Sequence, residues 1–109
     1  MGITYKVLGQ VSLTANTASN VYTVPALTST VLSTVTVCNQ SANTATFKLA
    51  VRPSGEALAA KHFINFDTPV PGNDTISLTL GITMAATDVL TANANTSTVS
   101  INAFGSEIS

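Results

Sequence analysis

The chain has 109 residues, enough for one domain with a sizeable core, since hydrophobic residues make up 45 % of it. Only 8 % of the residues are charged and the formal net charge is −1, whereas an ordinary soluble domain is about 25 % charged. The 4 basic residues are too few to neutralise a run of phosphates, so no nucleic-acid binding is expected, and no apolar run approaches the ~20 residues of a membrane-spanning helix.

The first half of the chain predicts strands, because apolar and polar residues alternate with period two. Residues 3–13 predict one strand, or two that join at a bend at Gly9, and residues 20–24 predict a short strand ended by Pro25, since proline cannot donate to a sheet ladder. The clearest pattern, residues 31–52, predicts a long hairpin closed by a polar turn at 40–43. Its expected inward face comprises Val31, Val35 and Val37 in the first arm and Phe47, Leu49 and Val51 in the second.

The second half of the chain alternates between strand patterns and breaks. Residues 53–55 interrupt the alternation, and residues 56–60 have helix propensity, so a short helical insert is expected near 55–60. Residues 61–66 are expected to be extended, and residues 68–74 form a dense turn cluster. A strand at 75–80 precedes a loop at 81–88, and residues 89–94 and 98–104 predict a closing hairpin with Phe104 in the core.

Roughly seven or eight short strands at about eight-to-twelve-residue spacing predict an all-β fold. We expect a single antiparallel β-sandwich domain spanning residues 1–109, of jelly-roll or immunoglobulin-like type. The cysteine–tryptophan–cysteine pattern of true immunoglobulin domains is missing, because the chain contains 1 cysteine and 0 tryptophans.

The titratable residues do not predict a catalytic or metal site. Cys38 lies in mid-strand, where a small buried thiol is the default, and His62 is interpreted as a satisfied or solvent-facing side chain rather than a base. One histidine and one isolated cysteine do not supply the ligands of a zinc site. Asp74 and Asp88 are expected to hydrogen-bond their own turns. We therefore expect no enzyme activity, no cofactor and no bound metal.

The scarcity of charge has two explanations. In the first, much of the surface is covered by copies of the chain or by partners. In the second, the surface is exposed, and it is a neutral, hydroxyl-rich β-surface. The first residues show no basic region followed by an apolar one, so no signal peptide is visible and folding in a cytoplasm is expected.

Five short phrases stand out when they are taken in order: YTVP at 22–25, VTVCN at 35–39, FKLAVRP at 47–53, NDTISLTLGI at 73–82 and FGSEI at 104–108. Together they resemble a group of small β-rich virion proteins of tailed bacteriophages, including phages of cyanobacteria. The resemblance covers most of the chain, and its specificity lies in the order of the phrases.

This resemblance implies a non-enzymatic structural protein of the virion, made in the host cytoplasm, whose partners are itself and other virion proteins. A homo-oligomeric capsid decoration (cement) protein bound to the major capsid protein is favoured, and a tail, neck or baseplate component is the alternative. A carbohydrate-binding or adhesin-type sandwich is a further alternative. It predicts exposed aromatic rings close together, such as Tyr22 with Phe63 or Phe66.

Subunit contacts are expected at some of the few charged residues and at the two ends of the chain. Arg52, Glu56 and Lys61 flank the expected helical insert, and each is a candidate for a salt bridge between subunits, with ordinary solvated charge as the alternative. The terminal stretches 1–6, with Ile3 and Tyr5, and 106–109 are candidate contact arms, because a terminal strand can add to the edge of a neighbour's sheet.

Overall fold

A computed structural model describes residues 2–109 as an antiparallel β-sandwich with eight strands. Met1, the first residue of the expected arm 1–6, lies outside the described residues. Two short 3₁₀ turns, Pro53–Gly55 and Ala60–His62, lie in the connection between the fourth and fifth strands. The strands are β1 (Ile3–Ser12), β2 (Ser19–Thr23), β3 (Ser29–Asn39), β4 (Ala45–Arg52), β5 (Phe63–Val70), β6 (Asp74–Met84), β7 (Val89–Ala94) and β8 (Val99–Ile108).

The strand order identifies the sandwich as a jelly roll. The first sheet has the order β1-β8-β3-β6, and the second sheet has the order β2-β7-β4-β5. Consecutive strands up to β4 alternate between the sheets, and β5 to β8 return in the reverse order, as in two interlocked Greek keys. Of the two types expected from the sequence, the jelly roll is therefore the one observed.

Both predicted hairpins are wrong. β3 pairs with β6 and β8, whereas β4 pairs with β5 and β7, so residues 31–52 cross from one sheet to the other. β7 and β8 likewise belong to different sheets, which excludes the closing hairpin. The reason is that period-two alternation shows that one face of a strand is buried but does not identify the neighbouring strand.

A β-bulge explains why the inward face of β3 was only partly predicted. The pairing of β3 with both neighbours shifts between Leu32 and Thr34, so the alternation changes phase at Ser33. Val35 and Val37 are fully buried as predicted, but Leu32 points inward and Val31 lies half-buried on the outer side. In β4, the predicted inward residues Phe47 and Leu49 are fully buried.

The bounds of the elements in the second half of the chain differ from prediction in three places. Residues 56–59 are not helical, and short 3₁₀ turns form on either side of them instead. The predicted turn at 68–74 begins later, since β5 continues through Pro69 to Val70, as an edge strand permits. β6 continues to Met84, so the first part of the predicted loop at 81–88 is strand. The strand passes Gly81 by a bulge opposite Ser33, in which the glycine takes a positive φ of 65°.

One core lies between the two sheets and holds the fold together. Its largest fully buried side chains are Phe47, Leu32, Leu49, Met84, Leu90 and Ile101, which come from both sheets. Phe104 is not among them, because it lies half-buried on the outer side of the first sheet. Burial of each large side chain contributes about 1.5–3 kcal/mol.

Candidate contact surface

The outer side of the first sheet is a continuous surface whose residues alternate with core residues such as Val35, Val37 and Ile101. We call this surface the uncharged face. Its residues are Ile3, Tyr5, Val7, Gln10 and Ser12 of β1, Val31, Ser33, Thr34, Thr36 and Cys38 of β3, Thr75, Ser77, Thr79 and Thr83 of β6, and Ser100, Asn102, Phe104, Ser106 and Ile108 of β8.

Within residues 2–109, no side chain of this face is acidic, basic or histidine. The outer side of the second sheet differs, because Lys48 and Asp67 form an ion pair there and Arg52 projects from the end of β4. The few charged residues of the chain are therefore distributed unevenly, and the outer face of the first sheet carries none of them.

An apolar cluster occupies one end of the uncharged face, and we define it as Ile3, Tyr5, Val7, Val31 and Phe104. The three β1 side chains are 58 %, 81 % and 47 % exposed, respectively. Val7 lies opposite Phe104 in the sheet. A groove of about 360 Å³ opens in the cluster beside Tyr5, Val31 and Phe104. Exposed apolar groups that adjoin one another on a polar surface commonly mark an interaction site.

A polar network that runs from the buried Tyr22 and Thr30 to the exposed Lys6 lies behind the cluster. Glu107 accepts hydrogen bonds from the Tyr22 hydroxyl at 2.5 Å and from Lys6 Nζ at 3.2 Å, and the Tyr22 hydroxyl also lies 2.7 Å from Thr30 Oγ1. Burial, together with the bond to Glu107, raises the pKa of Tyr22 to about 12. The hydrogen bond from Tyr22, assisted by Lys6, lowers the pKa of Glu107. Lys6 also borders the groove, with its charge matched by Glu107.

The two chain ends, predicted as contact arms, pair with each other. Ile3 lies opposite Ile108, and Gly2 and Ser109 exchange backbone hydrogen bonds of 2.8 and 3.0 Å. β1 is nevertheless an edge strand, so one side of it faces no strand of its own sheet. Whether this edge or the exposed Tyr5 contacts another subunit stays a prediction.

Arg52, predicted as a contact residue, is used inside the chain. Its Nε donates to Thr91 Oγ1 at 2.9 Å, and its Nη2 donates to Asn20 Oδ1 at 2.8 Å. Its Nη1 donates to the carbonyls of Gly55 at 3.2 Å and Glu56 at 2.9 Å. All three nitrogens are thus engaged in fastening the β4–β5 connection to the second sheet, which is a structural role.

Glu56 and Lys61, the other charged contact candidates, lie on this connection beside His62. Ala59 N donates to His62 Nδ1 at 3.0 Å, so His62 Nε2 carries the hydrogen and donates to Glu56 Oε1 at 3.1 Å. Lys61 Nζ lies 3.8 Å from the same carboxylate oxygen. His62 is buried and fully satisfied, as one of the two interpretations predicted, and the three side chains border an open, mainly apolar pocket of about 650 Å³.

The remaining titratable candidates do not converge on a reactive site. Cys38 is half-buried on the uncharged face, not in the core, whereas His62 borders the second sheet, so no Cys–His pair forms. Asp74 accepts from Thr75 N, and Asp88 accepts from Ala85 N in its own turn and also from Ser54 N. Among the described residues, no group of three potential metal ligands lies together.

The aromatic residues only partly match the pattern predicted for sugar binding. Tyr22 is buried, so it forms no exposed platform with Phe63 or Phe66. Phe63 and Phe66 do adjoin, with ring centroids 5.1 Å apart in an edge-to-face arrangement. Phe66 is 62 % exposed, and Lys48 Nζ lies 4.5 Å above its ring.

No protein-family model matches the chain, and the curated proteins include none that it matches. In the part of the chain from residue 2 onward, no helix has the length and apolar character needed to span a membrane.

Proposed function

We propose that the protein is a non-enzymatic structural subunit of a tailed-bacteriophage virion, specifically a homo-oligomeric capsid decoration (cement) protein. The single observation that carries the proposal is the uncharged face with its exposed apolar cluster. A surface of this kind is poorly suited to permanent exposure in water and well suited to contact with protein. The order of short phrases that resembles small phage virion proteins supplies the biological setting.

The fold is compatible with the proposal. Double-sheet jelly rolls include viral capsid domains, and they also include lectins and cupins. A stiff sandwich presents fixed faces and places its loops at the two ends, which suits a subunit that attaches to a regular lattice. The described fold has no fibrous or coiled extension, and this favours decoration over the alternative of a tail, neck or baseplate component.

The Phe63–Phe66 pair favours a second candidate function, the binding of carbohydrate. Phe66 offers an exposed ring on the second sheet, next to the hydrogen-bonding groups of Lys48 and Asp67. If this function holds, Phe66→Ala abolishes binding on a glycan array while the molar mass of the protein stays unchanged. A wild-type protein that binds no glycan on the array excludes it.

Quantitative mass spectrometry of purified particles tests the virion proposal. Particles from a lysate of the phage that carries this gene are purified by density gradient, and the peptides of this chain are counted against those of the major capsid protein and the tail proteins. Copy numbers that scale with the capsid protein are expected for a decoration protein. Scaling with a tail protein would favour the tail alternative, and absence from particles despite abundance in the lysate would overturn both.

A further inference from the structure

We propose that the uncharged face packs against the same face of a second copy of this chain, about a two-fold axis that brings apolar cluster against apolar cluster. This inference rests on the proposed function, because it names the partner and the surface of the homo-oligomer. A two-fold contact uses one patch twice, so the patch must be complementary to itself.

The absence of charge makes the face self-complementary. In a two-fold contact, a charged side chain near the axis lies opposite its own copy, and such like-charge contacts cost several kcal/mol. No outward side chain of the first sheet imposes that cost, and its serine, threonine and asparagine residues can each donate and accept hydrogen bonds. On the second sheet, Lys48, Arg52 and Asp67 would each have to be accommodated.

The size of the face fits a stable pair. Four strands about 4.8 Å apart and about ten residues long, at about 3.3 Å per residue, give a flat area on the order of 600 Å². The side chains that project from the sheet increase this area, and bring it close to the roughly 800 Å² that each partner buries in a standard interface. The sandwich measures 45 × 27 × 18 Å, so a face-to-face pair covers one of its broad sides.

Tyr5 and the adjoining groove supply an anchor for the contact. The Tyr5 ring is 81 % exposed and stands beside a groove of about 360 Å³ that Phe104 and Val31 also line. With cluster against cluster, the Tyr5 ring of each copy can enter the groove of the other. Buried aromatic anchors of this kind supply much of the energy of protein interfaces.

Cys38 is a built-in probe of the contact, because it is the single thiol of the chain and lies half-buried on the uncharged face. The experiment measures molar mass by light scattering and the labelling rate of native Cys38 with a thiol reagent, on the same samples. Wild-type protein is expected to contain an even number of copies and to label on the order of tenfold more slowly than a monomer, since most chains are paired well above Kd.

Two variants separate this contact from any other. Tyr5→Lys changes an exposed side chain and is expected to yield a folded monomer with fast Cys38 labelling, and Ser33→Lys on the same face gives a second, independent disruption. Phe66→Lys changes an exposed aromatic on the second sheet and is expected to leave mass and labelling as in the wild type. Circular dichroism confirms that each variant is folded.

The outcomes distinguish the inference from the proposed function. A wild-type oligomer whose mass and Cys38 labelling are unaffected by Tyr5→Lys and Ser33→Lys would overturn the face-to-face contact and leave the homo-oligomer intact. An odd copy number would also overturn it. A wild-type protein that is monomeric at every concentration would overturn the homo-oligomer itself.

Discussion

Asn39 is a buried side-chain amide whose hydrogen bonds join three connections at one end of the sandwich. Its Nδ2 donates to the carbonyls of Asn43 at 2.8 Å and Val70 at 3.1 Å. Its Oδ1 accepts from Ser41 N at 3.0 Å and from Thr98 Oγ1 at 3.1 Å. The side chain thus ties its own β3–β4 connection to the ends of β5 and β8, and its polar groups are satisfied despite burial.

Asn39→Ala is expected to lower the free energy of unfolding by about 2–4 kcal/mol, because it leaves several buried and part-buried groups without their Asn39 partner. Urea unfolding at constant m-value measures the change. Asn93→Ala, at a half-buried position of β7, is the matched control and is expected to change stability by no more than about 0.5 kcal/mol. Equal effects of the two substitutions would contradict the role of Asn39.

The Glu107 network predicts a dependence of stability on pH. Because the pKa of Glu107 is lower in the folded protein than its ordinary 4.5, its contribution is present above pH 4.5 and is lost as the pH falls through the folded value. The pKa of Tyr22 is raised from 10.0 to about 12, so its contribution is present below pH 10.0 and is lost as the pH rises toward 12.

Glu107→Gln is expected to be about 1 kcal/mol less stable than the wild type at pH 7, because a charge-assisted hydrogen bond, which contributes about 1.5–3 kcal/mol, becomes a neutral one, which contributes about 0.5–1.5 kcal/mol. The two proteins should converge as the pH falls from 4.5 through the lower pKa of folded Glu107, where the wild-type carboxylate takes up its proton. Unfolding curves collected between pH 3 and pH 7 test this. A difference that stays constant over that interval would contradict the assigned network.

At the level of elements, strand positions could be predicted from the sequence but strand partners could not. The alternation in β4 correctly marked Phe47 and Leu49 as inward. The same kind of alternation in β1 gave no warning that Ile3, Tyr5 and Val7 point outward, because apolar residues on a strand ordinarily face the core. A bulge reverses the alternation in β1 between Val7 and Gly9, and nothing in the local sequence besides the glycine signals it.

Gly9 is the point at which edge strand β1 meets β2 of the other sheet. A Cβ atom at this position would lie 2.1 Å from the carbonyl oxygen of Val21, so Gly9→Ala is expected to cost about 2 kcal/mol or more. Gly2→Ala is the control, because a Cβ at position 2 meets no atom within 4 Å. Thermal unfolding compares the two variants, and a Gly9→Ala protein as stable as Gly2→Ala would refute the close approach of the sheets.

Arg52 determines how firmly the β4–β5 connection is held. Arg52→Ala removes its hydrogen bonds to Thr91, Asn20 and the connection backbone, so trypsin is expected to cleave after the exposed Lys61 several-fold faster. Arg52→Lys should not restore resistance, because an ammonium cannot reproduce the fork of donors. Lys48→Ala, which removes the ion pair with Asp67 and the contact with the Phe66 ring but no bond to the β4–β5 connection, is the control and should leave the cleavage rate unchanged.

For the molecule as a whole, the candidate site could be predicted in part. The sequence indicated Ile3 and Tyr5 as contact candidates and showed that charge is scarce, and the structure places both residues exposed on the uncharged face. It could not indicate that Val31 and Phe104 join them, because this depends on two bulges and on which strands are neighbours. Nor could it indicate that Arg52 is engaged internally, since Thr91 and Asn20 are distant in the chain.

The molar mass of the purified protein as a function of concentration and salt tests the central claim most directly. Assembly through the uncharged face predicts an even multiple of the 11.2 kDa chain at micromolar concentration. It also predicts that raising the salt to about 1 M leaves this mass unchanged, because no ion pair crosses the contact to be screened. A mass of 11.2 kDa at every concentration, or an oligomer that dissociates as salt is added, would contradict the account.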